Sequence, residues 1–288
     1  MIIKDYFNKY SSKLDSLDLE LIIAHALKKS REFILAHPEY NLNKKQEERI
    51  KKYVKRRLKH EPIAYILGQK EFYGLDFKVN KHVLIPRPET EHLVEEVLKI
   101  SPKNSTIIDL GTGSGNIIIS LAKNLKTRNK FIGIDISKKA LCVAEYNAKK
   151  NKVDKKIKFI QSDLLNYFFT KSQKLKANKL IIVANLPYLS EIIYSKTSPD
   201  VKNFEPKSAL LSGIDGLNHY EKLFRQIKKL EAKSYPPAGE AGKLKAILEI
   251  SPEQKQKISK LIKKYFPKAK VEFQKDLAGK WRVASFEI

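Results

Sequence analysis

The chain is predicted to be an α/β protein, a mostly parallel doubly wound sheet with helices on both faces, preceded by a small helical domain. Three observations predict this. From residue 105 onward, short β-branched runs alternate with amphipathic segments ("STIIDL", "GNIIISLAKNL", "KFIGID", "SKKALCVAEYNAKK", "KIKFIQSD", "KLIIVAN"), which implies right-handed crossovers and parallel pairing. The first sixty residues carry helical periodicity alone. Residues 60–91, between them, mix aromatics, glycine and prolines and mark a border, and 288 residues are enough for two cores.

Taken in order, Leu14, Leu17, Leu21 and Ala24, joined by Ile22, Ile23, Ala26 and Leu27, predict a first helix with a broad apolar face. A second helix is predicted to start at Asn43, with Gln46 reaching back in a capping box. It has an apolar face of Ile50, Tyr53, Val54 and Leu58. Its other face, Lys51, Lys52, Lys55, Arg56 and Arg57, reads either as solvated surface or as contact with an acidic or nucleic-acid partner.

In the border segment, "LDFKV" and "HVLI" predict a β-hairpin over 75–85 that turns at Asn80-Lys81. Pro86 and Pro88 fix extended chain, and Glu89 and Glu91 open a helix through "HLVEEVLKI". The domains are therefore placed at 1–74 and 75–288. Beyond the alternating region, "LNHYEKLFRQIKKL" predicts a helix and "KLKAILEI" a strand. Ser251-Pro252-Glu253-Gln254 marks a capped helix start, and "EAKSYPPAGEAGK" reads as a turn-rich surface connection.

Composition narrows the classes. Lys+Arg 57 against Asp+Glu 32 gives a net charge of +25, which suits a polyanionic partner or incidental nucleic-acid affinity, although lysines spread along the chain fit a compositional bias equally. The single cysteine, Cys142, excludes an internal disulfide framework, and its helix predicts a buried, inert thiol. The six histidines show no ligand spacing, so no metal is expected. No apolar run reaches the roughly 18 residues of a membrane span and no signal peptide is evident, so a cytoplasmic monomer is the expectation.

In an open α/β sheet, ligands bind beyond the carboxyl ends of the strands, so chemistry is sought there. The first strand runs into Asp109-Leu110-Gly111-Thr112-Gly113-Ser114-Gly115, a loop whose glycines permit close backbone approach and which opens a helix. The dinucleotide fingerprint needs a glycine where Asn116 stands; the form DxGxGxG instead resembles motif I of class I methyltransferases that use S-adenosylmethionine. About twenty residues on, the second strand ends at Asp135, an acceptor for ribose hydroxyls. The third strand ends in "QSD", and by the same resemblance Ser162, Asp163 and Leu164 would lie beside the adenine.

The fourth strand ends at Asn185-Leu186-Pro187-Tyr188. By resemblance, an Asn/Asp-x-Pro-Tyr/Phe motif here belongs to methyltransferases acting on planar nitrogens, in adenine, cytosine or the glutamine amide. Such a nitrogen is a poor nucleophile because its lone pair is delocalised. If Asn185 Oδ1 and the carbonyl of Leu186 accept its two N–H bonds, the lone pair is aimed at the methyl group while Tyr188 stacks on the flat face. Pro187 holds Leu186 extended.

The segment "HEPIAYILGQKEFYGLDFKVNKHVLIPRPETEHLVEE" closely resembles the PrmC/HemK family of N5-glutamine methyltransferases that modify peptide chain release factors. The resemblance continues through "DLGTGSGNIIISLA", "FEPKSALLSGIDGLNHY", "LEISPEQ" and "DLAGKWRVASFEI", with "LDLELIIAHALKKSREFILAH" similar to that family's N-terminal domain. It implies methyl transfer from S-adenosylmethionine, leaving S-adenosylhomocysteine, to the glutamine of a Gly-Gly-Gln loop, with residues 1–74 docking the release factor. It also implies a cofactor loop of Asp109, Gly111, Thr112, Gly113, Ser114 and Gly115, completed by Asp135, Asp163, Leu164 and Asn185. Asn185, Leu186, Pro187 and Tyr188 hold the acceptor in this reading. The chain departs from the family's usual Asn-Pro-Pro-Tyr at Leu186, and Ser251 stands where glycine is usual. The alternative is an adenine-N6 methyltransferase acting on RNA or DNA, favoured by Leu186 and the positive charge.

Overall fold

The computed structural model describes residues 1–100, 102–170, 179–232 and 243–288. Most of "EAKSYPPAGEAGK" lies outside the described residues. The chain forms two compact units, one of residues 1–69 together with 198–204, the other of 70–197 and 205–288. The division thus falls five residues before the predicted one, and the first unit also takes the short helix Pro199–Phe204.

The first unit is built on helices Ile3–Tyr10, Ser16–Leu27, Arg31–Ala36, Lys44–Arg57 and Ile63–Leu67. Asp15 caps the second of these by accepting from the Leu17 N–H at 2.9 Å, which leaves Leu14 before its start. The buried face is consequently Leu19, Ile22, Ile23 and Ala26, while Leu17 is 45% exposed, a rotation away from the expected Leu14–Leu17–Leu21 stripe. Asn43 and Gln46 form the predicted capping box at 3.0 and 2.9 Å. Ile50 and Val54 of that helix are buried, whereas Leu58 is exposed. Part of its basic face is engaged internally, Arg57 on Asp18 at 2.5 Å and Arg56 on Glu61.

The second unit opens with a hairpin of β1 (Gln69–Phe72) and β2 (Leu75–Lys78). It turns at Tyr73-Gly74, not at Asn80-Lys81, and no strand is formed over 79–85. Tyr73 (φ 52°) and Gly74 (φ 68°) both lie in the left-handed region that a two-residue hairpin turn demands. At the expected turn, Asn80 Oδ1 instead accepts from the His82 N–H at 2.9 Å, a local turn that leads the chain away from pairing.

The main sheet contains β3 (Thr106–Leu110), β4 (Lys130–Asp135), β5 (Ile157–Gln161), β6 (Lys179–Ala184), β7 (Lys243–Glu249), β8 (Lys270–Lys275) and β9 (Trp281–Glu287) in the order β5-β4-β3-β6-β7-β9-β8. The first five strands in that order are parallel; β9 and β8 add an antiparallel edge that the alternation did not announce. Alternate residues bury into two cores. Ile108, Leu110, Leu180, Ile182 and Ala184 face one, and Ile107, Ile181, Val183 and Ile247 the other, as expected of strands covered on both faces.

One expectation fails locally. Cys142 is exposed, because helix Lys138–Lys150 buries Ala140, Leu141, Val143, Ala144 and Asn147 and turns residue 142 outward. The capped helix start expected at Ser251 is present: Gln254 Oε1 accepts from the Ser251 N–H at 3.2 Å, Pro252 stands in the first turn, and the helix enters through a short 3₁₀ turn, Pro252–Gln254.

Candidate active site

Strand order reverses between β3 and β6, and the carboxyl ends of β3, β4, β5 and β6 surround a cavity of about 340 Å³, within the small-molecule range. Of the predicted residues, Gly111, Thr112, Gly113, Asp135, Asp163, Leu164, Asn185, Leu186 and Pro187 line it. Asp109, Ser114, Gly115 and Tyr188 do not. They build the walls from behind.

Asp109 is fully buried and accepts from the Thr112 hydroxyl at 2.6 Å. Burial pushes its carboxyl up to about 7. Gly115 (φ 81°) passes so close to Ala144 that an added Cβ would lie 3.2 Å from that residue's Cβ. Asn147 clamps the loop from the same helix as Ala144, donating to the Ser114 carbonyl at 2.9 Å and bonding the backbone of Lys78 on both sides. No local motif marks Asn147; its role is set by burial.

Asp135 carries the cavity's principal acceptor. Its Oδ2 accepts from the Gly113 N–H at 2.9 Å and its Oδ1 from the Ser137 N–H at 2.8 Å, so two backbone donors hold the carboxylate in one orientation. Burial raises its pKa against the opposing pull of those bonds. Each oxygen keeps a further lone-pair site. Ile136 and Leu164 add apolar surface to the cavity. Asp163 is ion-paired with Lys222. His219, from the same helix as Lys222, also lines the cavity; its Nδ1 lies 2.7 Å from Ser212 Oγ, and burial, then Lys222, lowers its pKa. Sequence reading missed Ile136, His219 and the wall formed by 81–87, of which 82–85 was taken for a strand. In that wall Arg87 pairs with the buried Glu205, whose other oxygen accepts from the Ile85 N–H at 3.2 Å.

At the end of β6, Asn185 donates from Nδ2 to Thr90 Oγ1 at 3.0 Å. The Leu186 side chain is 2% exposed, packed in the core with its Cδ2 against Gly111. Behind it the buried Tyr220 hydroxyl donates to the Glu249 carbonyl. The Tyr188 hydroxyl lies 3.4 Å from Glu249 Oε1, and its carbonyl accepts from Gln254 Nε2 at 2.9 Å, which also reaches the Gly216 carbonyl at 3.1 Å. Burial, then the Glu249 charge, drives the Tyr188 phenol far above its ordinary pKa, so it stays neutral. The exit of the motif is tied down by the Leu189 N–H on the Leu210 carbonyl at 2.9 Å.

Among the described residues there is no group of three or more His, Cys, Asp or Glu that could hold a metal ion, and no helix is long and apolar enough to cross a membrane.

Residues 3–68 match the family model described as the PrmC N-terminal domain, and residues 101–232 match a methyltransferase domain. A release factor glutamine methyltransferase of Bacillus anthracis is 34% identical over 276 residues, 93% of this chain and 91% of that protein. One from Coxiella burnetii is 41% identical over 253 residues, 87% and 84% of the two chains. Among solved structures, the catalytic domain of hMettl16 in complex with an RNA hairpin has a TM-score of 0.51 at 15% identity, covering 74% of this chain and 76% of that one, a likeness of fold.

Proposed function

The chain belongs to the family of release factor glutamine methyltransferases, and from that premise we propose that it methylates the side-chain amide nitrogen (N5) of the glutamine in the Gly-Gly-Gln motif of peptide chain release factors. S-adenosylmethionine is the methyl donor of this class. The observation that carries the reading is a single cavity that joins the Asp135 carboxylate to an asparagine amide whose NH2 end is already engaged.

The residues present suit an adenosine-bearing ligand. Asp135 is held by two backbone donors with lone pairs to spare for a ribose diol, Ile136 and Leu164 supply apolar surface for a base, and the loop 111–113 brings backbone to the wall. When bound, S-adenosylmethionine supplies an electrophilic methyl group. Everything else is done by the chain. Asn185 Oδ1 and the Leu186 carbonyl accept the two N–H bonds of the glutamine amide, which points the nitrogen lone pair and stabilises positive charge developing there. Tyr188, neutral and held by Glu249 and Gln254, closes the acceptor side. Asp109, Ser114 and Gly115 serve the cofactor indirectly, by shaping the loop.

The first unit docks the body of the release factor in this proposal. It carries a depression lined by His25, Lys28, Lys29, Arg31, Arg49 and Tyr53, a surface suited to acidic protein. The enzyme acts as a monomer, and its net charge of +25 gives only incidental affinity for nucleic acid.

Radiolabelled S-adenosylmethionine offered separately with release factor, ribosomal RNA and DNA tests the assignment. Label in the protein alone is expected. Label in adenine of either nucleic acid, with none in the factor, would overturn it.

A further inference from the structure

We propose that His219 binds the cofactor's adenine, its Nε2–H donating to a ring nitrogen of the base, and that Ser212 is the positioning residue that keeps the proton on Nε2. This rests on the reading of the cavity above, which gives Asp135 the ribose and Leu164 the base. Adenine offers acceptors on its ring nitrogens and a donor only at its exocyclic amine, so a side chain that meets a ring nitrogen has to present a proton. A neutral imidazole has one N–H and one bare nitrogen. Which edge carries the proton is decided by what the other edge meets.

Helix Asn218–Ala232 brings His219 to the β5 side of the cavity. His219, Lys222 and Gln226 stand at i, i+3 and i+7, on one face of that helix. Lys222 pairs with Asp163, while Gln226 Oε1 accepts from the Leu165 N–H at 2.7 Å and its Nε2 donates to Asn166 Oδ1 at 3.1 Å. The face is thus clamped to the turn that follows β5. Its first member, His219, lines the cavity together with Asp163 and Leu164.

Ser212 settles the tautomer. It is 1% exposed and its backbone is fixed at both ends, the N–H on the Leu189 carbonyl at 2.9 Å and the carbonyl accepting from the Asn218 N–H at 3.3 Å. Its Oγ accepts from the His219 backbone N–H at 3.1 Å and lies 2.7 Å from His219 Nδ1. Among the described residues the hydroxyl has no other hydrogen-bond partner, so its proton goes to Nδ1; the other arrangement would leave a buried donor unsatisfied. Nδ1 is then an acceptor. The ring's one proton sits on Nε2, the nitrogen farther from Ser212, which has no hydrogen-bond partner among the described residues. Burial, then Lys222, lowers the imidazole's pKa against the opposing charge of Asp163, which keeps the ring neutral at neutral pH.

Nitrogen NMR of the histidine-labelled full chain, with calorimetry alongside, tests this, and His219→Phe identifies the resonance among the six histidines. In the wild type Nδ1 is expected bare and Nε2 protonated, Ser212→Ala should admit the other tautomer, and S-adenosylhomocysteine should move the Nε2 signal far more than Nδ1. His219→Phe should bind S-adenosylhomocysteine about tenfold more weakly, the equivalent of one hydrogen bond. Analogues of that ligand with one adenine ring nitrogen replaced by carbon locate the bond. One of them should bind the wild type about tenfold more weakly than its parent, and bind His219→Phe as well as the parent does. A proton on Nδ1, an unchanged tautomer in Ser212→Ala, an Nε2 signal that ignores the ligand, or analogue penalties equal in both proteins would overturn the proposal alone when Asp135→Ala weakens binding. Unchanged affinity in Asp135→Ala would overturn it together with the reading beneath.

Discussion

Leu186 occupies the position where the family it resembles usually has proline, and its surroundings show how little that difference has to change. Its side chain is buried against Gly111. In the proposed function residue 186 meets the acceptor through its carbonyl, which proline also possesses, and Pro187 imposes the extended backbone. Leu186→Pro is therefore expected to keep glutamine methylation within about tenfold, roughly 1.4 kcal/mol of barrier, and to create no adenine activity. Rates on release factor and on an adenine substrate check this. Asp135→Ala should weaken S-adenosylmethionine binding by about 1–3 kcal/mol, because it removes the acceptor that Gly113 and Ser137 hold in place. Calorimetry showing unchanged affinity would refute that role. Both residues were legible in the sequence because each stands at the end of a recognisable strand. Thr90, Gln254 and Glu249 were not, since each reaches the motif across a large gap in sequence and nothing in its local text distinguishes it from capping or core.

At the scale of elements, hydrophobic alternation located every parallel strand to within a residue or two, because strands buried on both faces leave an apolar run with few alternatives. The hairpin was misplaced because Asn80-Lys81 looks more like a turn than Tyr73-Gly74, yet a glycine at φ 68° beside a tyrosine at φ 52° satisfies the same geometry. Strands β8 and β9 were not separated from the terminal text. The loop at Gly216 shows how one element locks another. Its φ is 79°, and an added Cβ would lie 2.2 Å from the Tyr188 carbonyl oxygen. Gly216→Ala is expected to destabilise the fold by about 1–3 kcal/mol from backbone strain, and more if the Tyr188 backbone cannot yield. Urea unfolding would measure the first effect. A fall in kcat larger than the fall in cofactor affinity would show that the Asn185–Tyr188 motif had moved.

For the whole molecule, two buried carboxyls make stability depend on pH. Burial raises both Asp109 and Glu249 to about 7, so the folded state holds their protons more tightly than the unfolded chain does. That contribution is complete below the ordinary carboxylate range, falls as pH rises toward 7, and is gone above it. Replacing one such carboxyl isolates its share: relative to Asp109→Asn, the ligand-free wild type should lose stability between about pH 4 and pH 7. A constant difference in urea midpoint would contradict the assignment. The proposed function gives the first unit the docking of the substrate. If the first docks the release factor, the combined reversal Lys28→Glu, Lys29→Glu and Arg49→Glu should raise KM for the intact factor and leave KM for a short Gly-Gly-Gln peptide unchanged. Equal effects on both would make that unit structural.

The central claim is that the acceptor is an amide nitrogen held by Asn185 and the Leu186 carbonyl. Tandem mass spectrometry of release factor after reaction with S-adenosylmethionine tests it most directly. The account predicts one added methyl group, on the side-chain nitrogen of the Gly-Gly-Gln glutamine, which is absent when Asn185→Ala replaces the wild type at equal enzyme concentration and short reaction time. A methyl group on any other residue, or on this glutamine at an undiminished rate with Asn185→Ala, would contradict it.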